Sequence, residues 1–150
     1  LRADVVAEDA RDHHGRYDAI LLDAPCSATG TIRRHPDLPH LRRHADLAAL
    51  TAFQADLLDH ALTLLKPGGR LVYATCSLLP AEGEAQVAAA LSRHSGLQIL
   101  PPEAPGIDPA WRSAEGGVRL RPDVWPDRGG LDGFYMALLG RMDDFAAPAL

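Results

Sequence analysis

The stretch from Tyr17 to Ser77 constrains the fold more than any other, because two short apolar runs flank one long amphipathic segment. YDAILLDAP, residues 17–25, carries Ala19 to Leu22 without a polar interruption and then meets Asp and Pro, the pattern of a strand buried on both faces that ends in a loop. GRLVYATCS, residues 69–77, repeats that form. Between them Leu47, Leu50, Phe53, Leu57, Leu58, Ala61, Leu64 and Leu65 recur at steps of three and four, and KPGG stops the run. A long helix joining two buried strands indicates an α/β fold with a mainly parallel sheet.

The remainder fits that scheme. VVAEDA is a short strand, PAEGEAQVAAALSRHSG a second helix with Pro80 in its first turn and Gly96 at its end, and LQIL a further strand. Residues 101–130 are rich in Pro, Gly and Asp, show no period, and are expected to form a long ordered loop of functional use. Gly133–Met142 supplies the last strand. At 150 residues the chain suits one domain, 1–150. No apolar run approaches the ~20 residues needed to cross a bilayer, and the first residues carry no signal-peptide pattern, so no membrane role and a cytoplasmic setting are expected.

Ligands of open α/β sheets bind beyond the carboxyl ends of the strands. Asp9, Asp23 with Cys26, and Cys76 all fall at or just past predicted strand ends and are expected to converge on one edge. Free cysteines are commonly small buried hydrophobes, but these two sit beside polar residues at strand ends rather than inside the apolar runs. They lie in DAPCS and ATCS, with neither a CxxC pair nor zinc-type Cys/His spacing, so no metal is expected and a redox pair is disfavoured. The net charge of −5 argues against indiscriminate coating of nucleic acid, yet Arg33, Arg34, Arg42 and Arg43 form a local basic face suited to phosphates. Trp111, Trp125, Phe134 and Tyr135 are candidates for stacking on a base, with strand packing the plainer reading for the last two. Glu82 and Glu84 read as acids in the first turn of the second helix, and Ser77 as a candidate helix cap. His40 and His44, four residues apart, lack a third ligand and belong on the surface.

DAPCSATG followed by IRRHPD, then LKPGGRLVYATCSLLPAEGE and finally DGFYMALL, resembles the catalytic domain of the Nop/Sun family of RNA cytosine-5 methyltransferases, over about Val5 to Arg141. The resemblance implies a Rossmann-like fold, S-adenosyl-L-methionine as cofactor, and RNA, small-subunit ribosomal RNA, as substrate. It makes Cys76 the nucleophile and Cys26 the thiol that assists release. It also gives Asp23 a double role toward the cofactor's reactive end and the N3/N4 edge of cytosine. Asp9 falls in the family's third motif, near the adenine, and Pro25 fixes the cofactor-facing turn. Pro25 and Gly30 suit that turn on their own terms, one by fixing φ and the other by permitting close backbone approach.

The glycine-rich cofactor loop and its lysine are absent, Gly83 stands where the family has Asn, and residue 1 enters just before the third motif. The expectation is therefore the C-terminal portion of a catalytic domain lacking its first strands, with weak cofactor affinity by itself. A non-catalytic RNA-binding or assembly module with the same fold is the alternative.

Overall fold

The computed structural model describes residues 2–41 and 44–141. In chain order the elements are β1 (Tyr17–Asp23), α1 (Leu38–Leu41), α2 (His44–Thr63), β2 (Leu65–Thr75), α3 (Glu84–Arg93), β3 (Leu97–Leu100), β4 (Val118–Leu120) and β5 (Phe134–Arg141). Short 3-10 turns occur at Thr29–Thr31, Pro80–Glu82, Pro109–Trp111 and Pro126–Arg128. No described helix is long and apolar enough to cross a membrane.

The strands form one five-stranded sheet in the order β1-β2-β5-β3, with β4 also on β5. β1 and β2 pair in parallel from Ala19↔Arg70 to Asp23↔Ala74. β5 is antiparallel to β2, β3 and β4. The α/β class and the mainly parallel sheet hold: β1 to β4 all run the same way, and β5 alone is inserted in reverse between β2 and β3, so that the β1·β2 ladder is parallel and the ladders of β5 are antiparallel. Since β2 occupies one edge of β5, β3 and β4 share the other, pairing with residues 138–141 and 134–136 respectively.

The core follows the helix period. Leu58, Ala61, Leu62 and Leu65 are buried at three- and four-residue steps and meet Leu71 and Tyr73 of β2, Val87 and Ala90 of α3, and Tyr135, Ala137 and Leu139 of β5. β1 departs from the sequence expectation of burial on both faces: Leu21 is 71% exposed. Among the described residues β1 has a strand neighbour on one side only, and residues of VVAEDA form no strand, with Val5 93% exposed, because no ladder partner faces them. Beside this edge a cavity of about 630 Å³ opens between the N-terminal segment, β1 and α2, lined by residues including Val6, Tyr17, Leu21, Leu57 and Leu64; neither cysteine lines it.

Within residues 101–130 the expected loop contains β4 and two of the 3-10 turns. A three-residue strand is too short to leave a visible alternation.

Candidate active site

Register brings the two motifs together. Asp23 lies opposite Ala74 on adjacent parallel strands, so both chains leave the sheet at the same edge. Cys26 follows three residues after the first and Cys76 two after the second. Their sulfurs stand 3.5 Å apart, both thiols are free and both residues are half-buried. The turn after Cys26 is tight: Ala28 adopts φ 57°, a left-handed conformation that costs an L-residue roughly 1–2 kcal/mol. The Gly30 amide donates to the Cys76 carbonyl at 2.9 Å, and the Gly133 amide to the Gly30 carbonyl at 2.8 Å. Three loops, after β1, after β2 and before β5, therefore meet at Gly30, the close approach expected of it.

Behind the sulfurs lies a polar cluster that the sequence reading missed. Glu82, expected as a first-turn helix acid, closes a 3-10 turn and is fully buried. Its Oε1 accepts from the Ser27 amide at 2.8 Å and Gln54 Nε2 at 3.0 Å, and its Oε2 accepts from Ser27 Oγ and Ser77 Oγ, both at 2.5 Å. Gln54 Nε2 also donates to the Pro25 carbonyl, 2.9 Å, and Tyr73 OH to the Glu82 carbonyl, 2.8 Å. Ser77 thus binds a carboxylate as well as accepting from the Leu79 amide as a cap would. One signal in the sequence pointed here: each cysteine is followed by a serine, and two hydroxyls behind two thiols invite a shared acceptor.

The Cys26 thiol is pushed up to about 12 by burial first, with the neighbouring Cys76 and the Glu82 charge adding to it. Cys26 is therefore a neutral thiol at physiological pH. Across the site Arg119 of β4 donates to the Ser77 carbonyl, pairs with Glu84 and lies over the Tyr135 ring at 4.9 Å. Glu84 is thus an ion-pair partner of a distant strand rather than a free helix-end charge.

Asp23 ends β1 exposed at the sheet edge, and among the described residues nothing donates to its carboxylate. Asp9 behaves differently: it accepts from the Arg11 amide and guanidinium, which hold its carboxyl down at about 2. None of its hydrogen bonds reaches the thiol site, where Cys26 and Cys76 meet and Asp23 leaves the sheet at the same edge. Arg33 is exposed and lies over Gly130, where an added methyl carbon would come within 3.1 Å of its guanidinium. Arg34 is paired with Asp132 at 2.6 Å. Arg42 and Arg43 lie outside the described residues. Trp111 and Trp125 pack edge to face at 5.1 Å with Arg128 over Trp125, whereas Tyr135 is fully buried and donates to Glu115, which removes it from any stacking role. Among the described residues no group of three or more His, Cys, Asp or Glu is placed to hold a metal.

A family model described as 16S rRNA methyltransferase RsmB/F matches residues 1–140. Ribosomal RNA small subunit methyltransferase B of Vibrio cholerae is 44% identical over 146 residues, covering 94% of this chain and 31% of the relative. The protein of that name from Salmonella arizonae is 62% identical over 94 residues, covering 61% of the chain and 22% of the relative. Among solved structures, NSun6 from Pyrococcus horikoshii with SFG superimposes with a TM-score of 0.73 at 30% identity, covering 94% of this chain and 35% of that one. A methyltransferase homolog protein from the same organism gives 0.65 at 34% identity, covering 85% and 40%. The chain spans about a third of the length of the V. cholerae relative, 31%. On the match across residues 1–140, the chain belongs to the RsmB/F family of 16S rRNA methyltransferases.

Proposed function

We propose that this chain carries the reaction centre of an enzyme that methylates C5 of cytosine in RNA, with small-subunit ribosomal RNA as substrate. The observation that carries the reading is the pair of free thiols 3.5 Å apart at the carboxyl edge of the sheet. Cytosine C5 is a poor nucleophile until a thiolate adds to C6. The Cys76 sulfur forms that bond, the ring's electron pair moves to C5, and C5 becomes able to accept a methyl group. The Asp23 carboxyl, free at the strand end, is suited to the N3/N4 edge, where charge changes as the thiolate adds.

S-adenosyl-L-methionine, when bound, supplies the methyl group; SFG, an analogue of it, accompanies NSun6. Asp23 and Pro25 fit its reacting end, because an unbonded carboxylate and a fixed turn stand three residues and one residue before Cys26. Asp9 is less suited, since Arg11 already takes its carboxylate. After methylation the C5 proton leaves to a base and the C6–S bond breaks, returning the electron pair to the Cys76 sulfur. A neutral Cys26 hydrogen-bonded to that sulfur stabilises the returning charge, which is a physical basis for assistance in release.

The test is trapping with RNA that contains 5-fluorocytosine at the target, from which no C5 proton can leave. Cys76→Ala abolishes the covalent adduct and methyl transfer, whereas Cys26→Ala retains adduct formation on ordinary RNA and prolongs its lifetime. Equal loss of adducts in both variants overturns the assignment.

A further inference from the structure

The most heavily bonded buried group in this site has no place in the reaction just described. Glu82 accepts four hydrogen bonds, from Ser27 N, Ser27 Oγ, Ser77 Oγ and Gln54 Nε2, which uses the acceptor capacity of an ionised carboxylate in full. Three of the four come from residues directly following the two cysteines. A buried charge is tolerated only when so paired, and this one joins segments 55 and 5 residues away in sequence. The bonding is also lopsided: Ser27, beside Cys26, gives the carboxylate two bonds, while Ser77, beside Cys76, gives it one and offers its carbonyl to the Arg119 guanidinium. Negative charge lies behind Cys26 and a cation beside the turn of Cys76.

We propose that Glu82 is the positioning residue of the thiol pair: its carboxylate fastens the Cys26 turn to the Cys76 turn, and its charge keeps the pair's proton on Cys26, leaving Cys76 to attack. The word attack rests on the reaction proposed above; the clamp and the placement of the proton do not. Among the described residues the other ionisable groups around the pair include Asp23 at the end of β1, Tyr73 of β2, bonded through its hydroxyl to the Glu82 carbonyl, and Arg119 of β4, balanced by Glu84 of α3. The Cys26 thiol is raised partly by the Glu82 charge, in agreement with the geometry.

Glu82→Gln separates charge from geometry. With its carbonyl toward Ser27 N and Gln54, its amide faces the two hydroxyls; the Ser77 proton can turn to Ser27 Oγ, 3.3 Å away, and the Ser27 proton to Thr29 Oγ1, 3.4 Å away. The clamp survives and the charge is gone. Alkylation by iodoacetamide, resolved by peptide mass spectrometry between pH 7 and 10, reads each thiol separately and needs no RNA. In the unaltered protein Cys76 reacts first throughout. In Glu82→Gln the Cys26 rate at pH 8 rises about tenfold, the size of a one-unit change in thiol ionisation, with the melting temperature little changed. Glu82→Ala loses clamp and charge together and melts at lower temperature. A folded Glu82→Gln with the original Cys26 rate overturns the proposal. Should that variant not fold, the order in the unaltered protein and in Ser77→Ala, which keeps the charge, decides it: Cys26 reacting as fast as Cys76 in either overturns it. Failure of the RNA adduct experiment leaves these outcomes standing, so the two readings fall separately.

Discussion

Gly30 shows how a single hydrogen atom in place of a side chain assembles the site. A Cβ there would sit 2.0 Å from the Gly133 carbonyl oxygen and 2.7 Å from that of Cys76, both backbone atoms of loops tied to Gly30 by the Gly133 amide's bond to its carbonyl and its own amide's bond to Cys76. No rotamer change can relieve such a contact, so Gly30→Ala must separate the three loops. The expected cost is about 3 kcal/mol, the upper range for overpacking, measured from urea unfolding; a loss below about 0.5 kcal/mol would mean that the loops shift freely. Gly30, Asp23 and both cysteines were legible in the sequence because their meaning is local: a polar motif at the end of an apolar run. Glu82 was not. A glutamate two residues after Pro80 looks the same whether it faces water or a cluster, and what buries it is Ser27, 55 residues away. Asp9 shows the converse, since a neighbouring arginine two residues on satisfies it locally.

Among the elements, the common direction of β1, β2 and β3 was legible, and the reversal and neighbourhood of β5 were not. Apolar runs separated by crossover helices fix β1, β2 and β3 in one direction, but nothing local announces that the last strand enters between β2 and β3. β4 was hidden for a related reason: its three residues are held by partners on β5 and by Arg119, not by an alternating pattern of their own. Arg119 binds β4 to the loop after β2 and to the start of α3 through Ser77 and Glu84, with its side chain only 14% exposed. Removing it leaves Glu84 and a carbonyl unpaired in a half-buried setting, so Arg119→Ala is expected to cost about 2–3 kcal/mol. Hydrogen exchange localises the effect, with faster exchange of the amides of residues 77–83 and 118–120. Arg119→Lys recovers little, because an ammonium cannot reproduce the forked contact. Unchanged exchange in those two segments would show that β4 is held by its ladder alone.

In the molecule as a whole, an apolar core passes at the carboxyl edge of the sheet into a layer of buried polar groups, and this makes stability depend on pH at the alkaline end. Cys26 is raised from 9.0 to about 12, and Tyr73 and Tyr135 are raised from 10.0, each chiefly by burial. All three are neutral when protonated, and the folded state holds their protons more tightly than the unfolded chain does. Their contribution is therefore complete below pH 9 and is lost as pH rises, first as unfolded Cys26 ionises and then, above pH 10, as the unfolded tyrosines follow. Each proton contributes a slope of at most about 1.4 kcal/mol per pH unit, and less for Cys26, whose partial exposure admits solvent screening. Urea midpoints should be flat between pH 7 and 8.5, fall gently from 9 and steepen beyond 10. Cys26→Ala should shift the onset of the fall from near 9 to near 10 while leaving the steeper limb in place. If that variant and the unaltered protein lose stability along the same curve, Cys26 is no better protected in the folded protein than in the unfolded chain, and burial does not hold its proton.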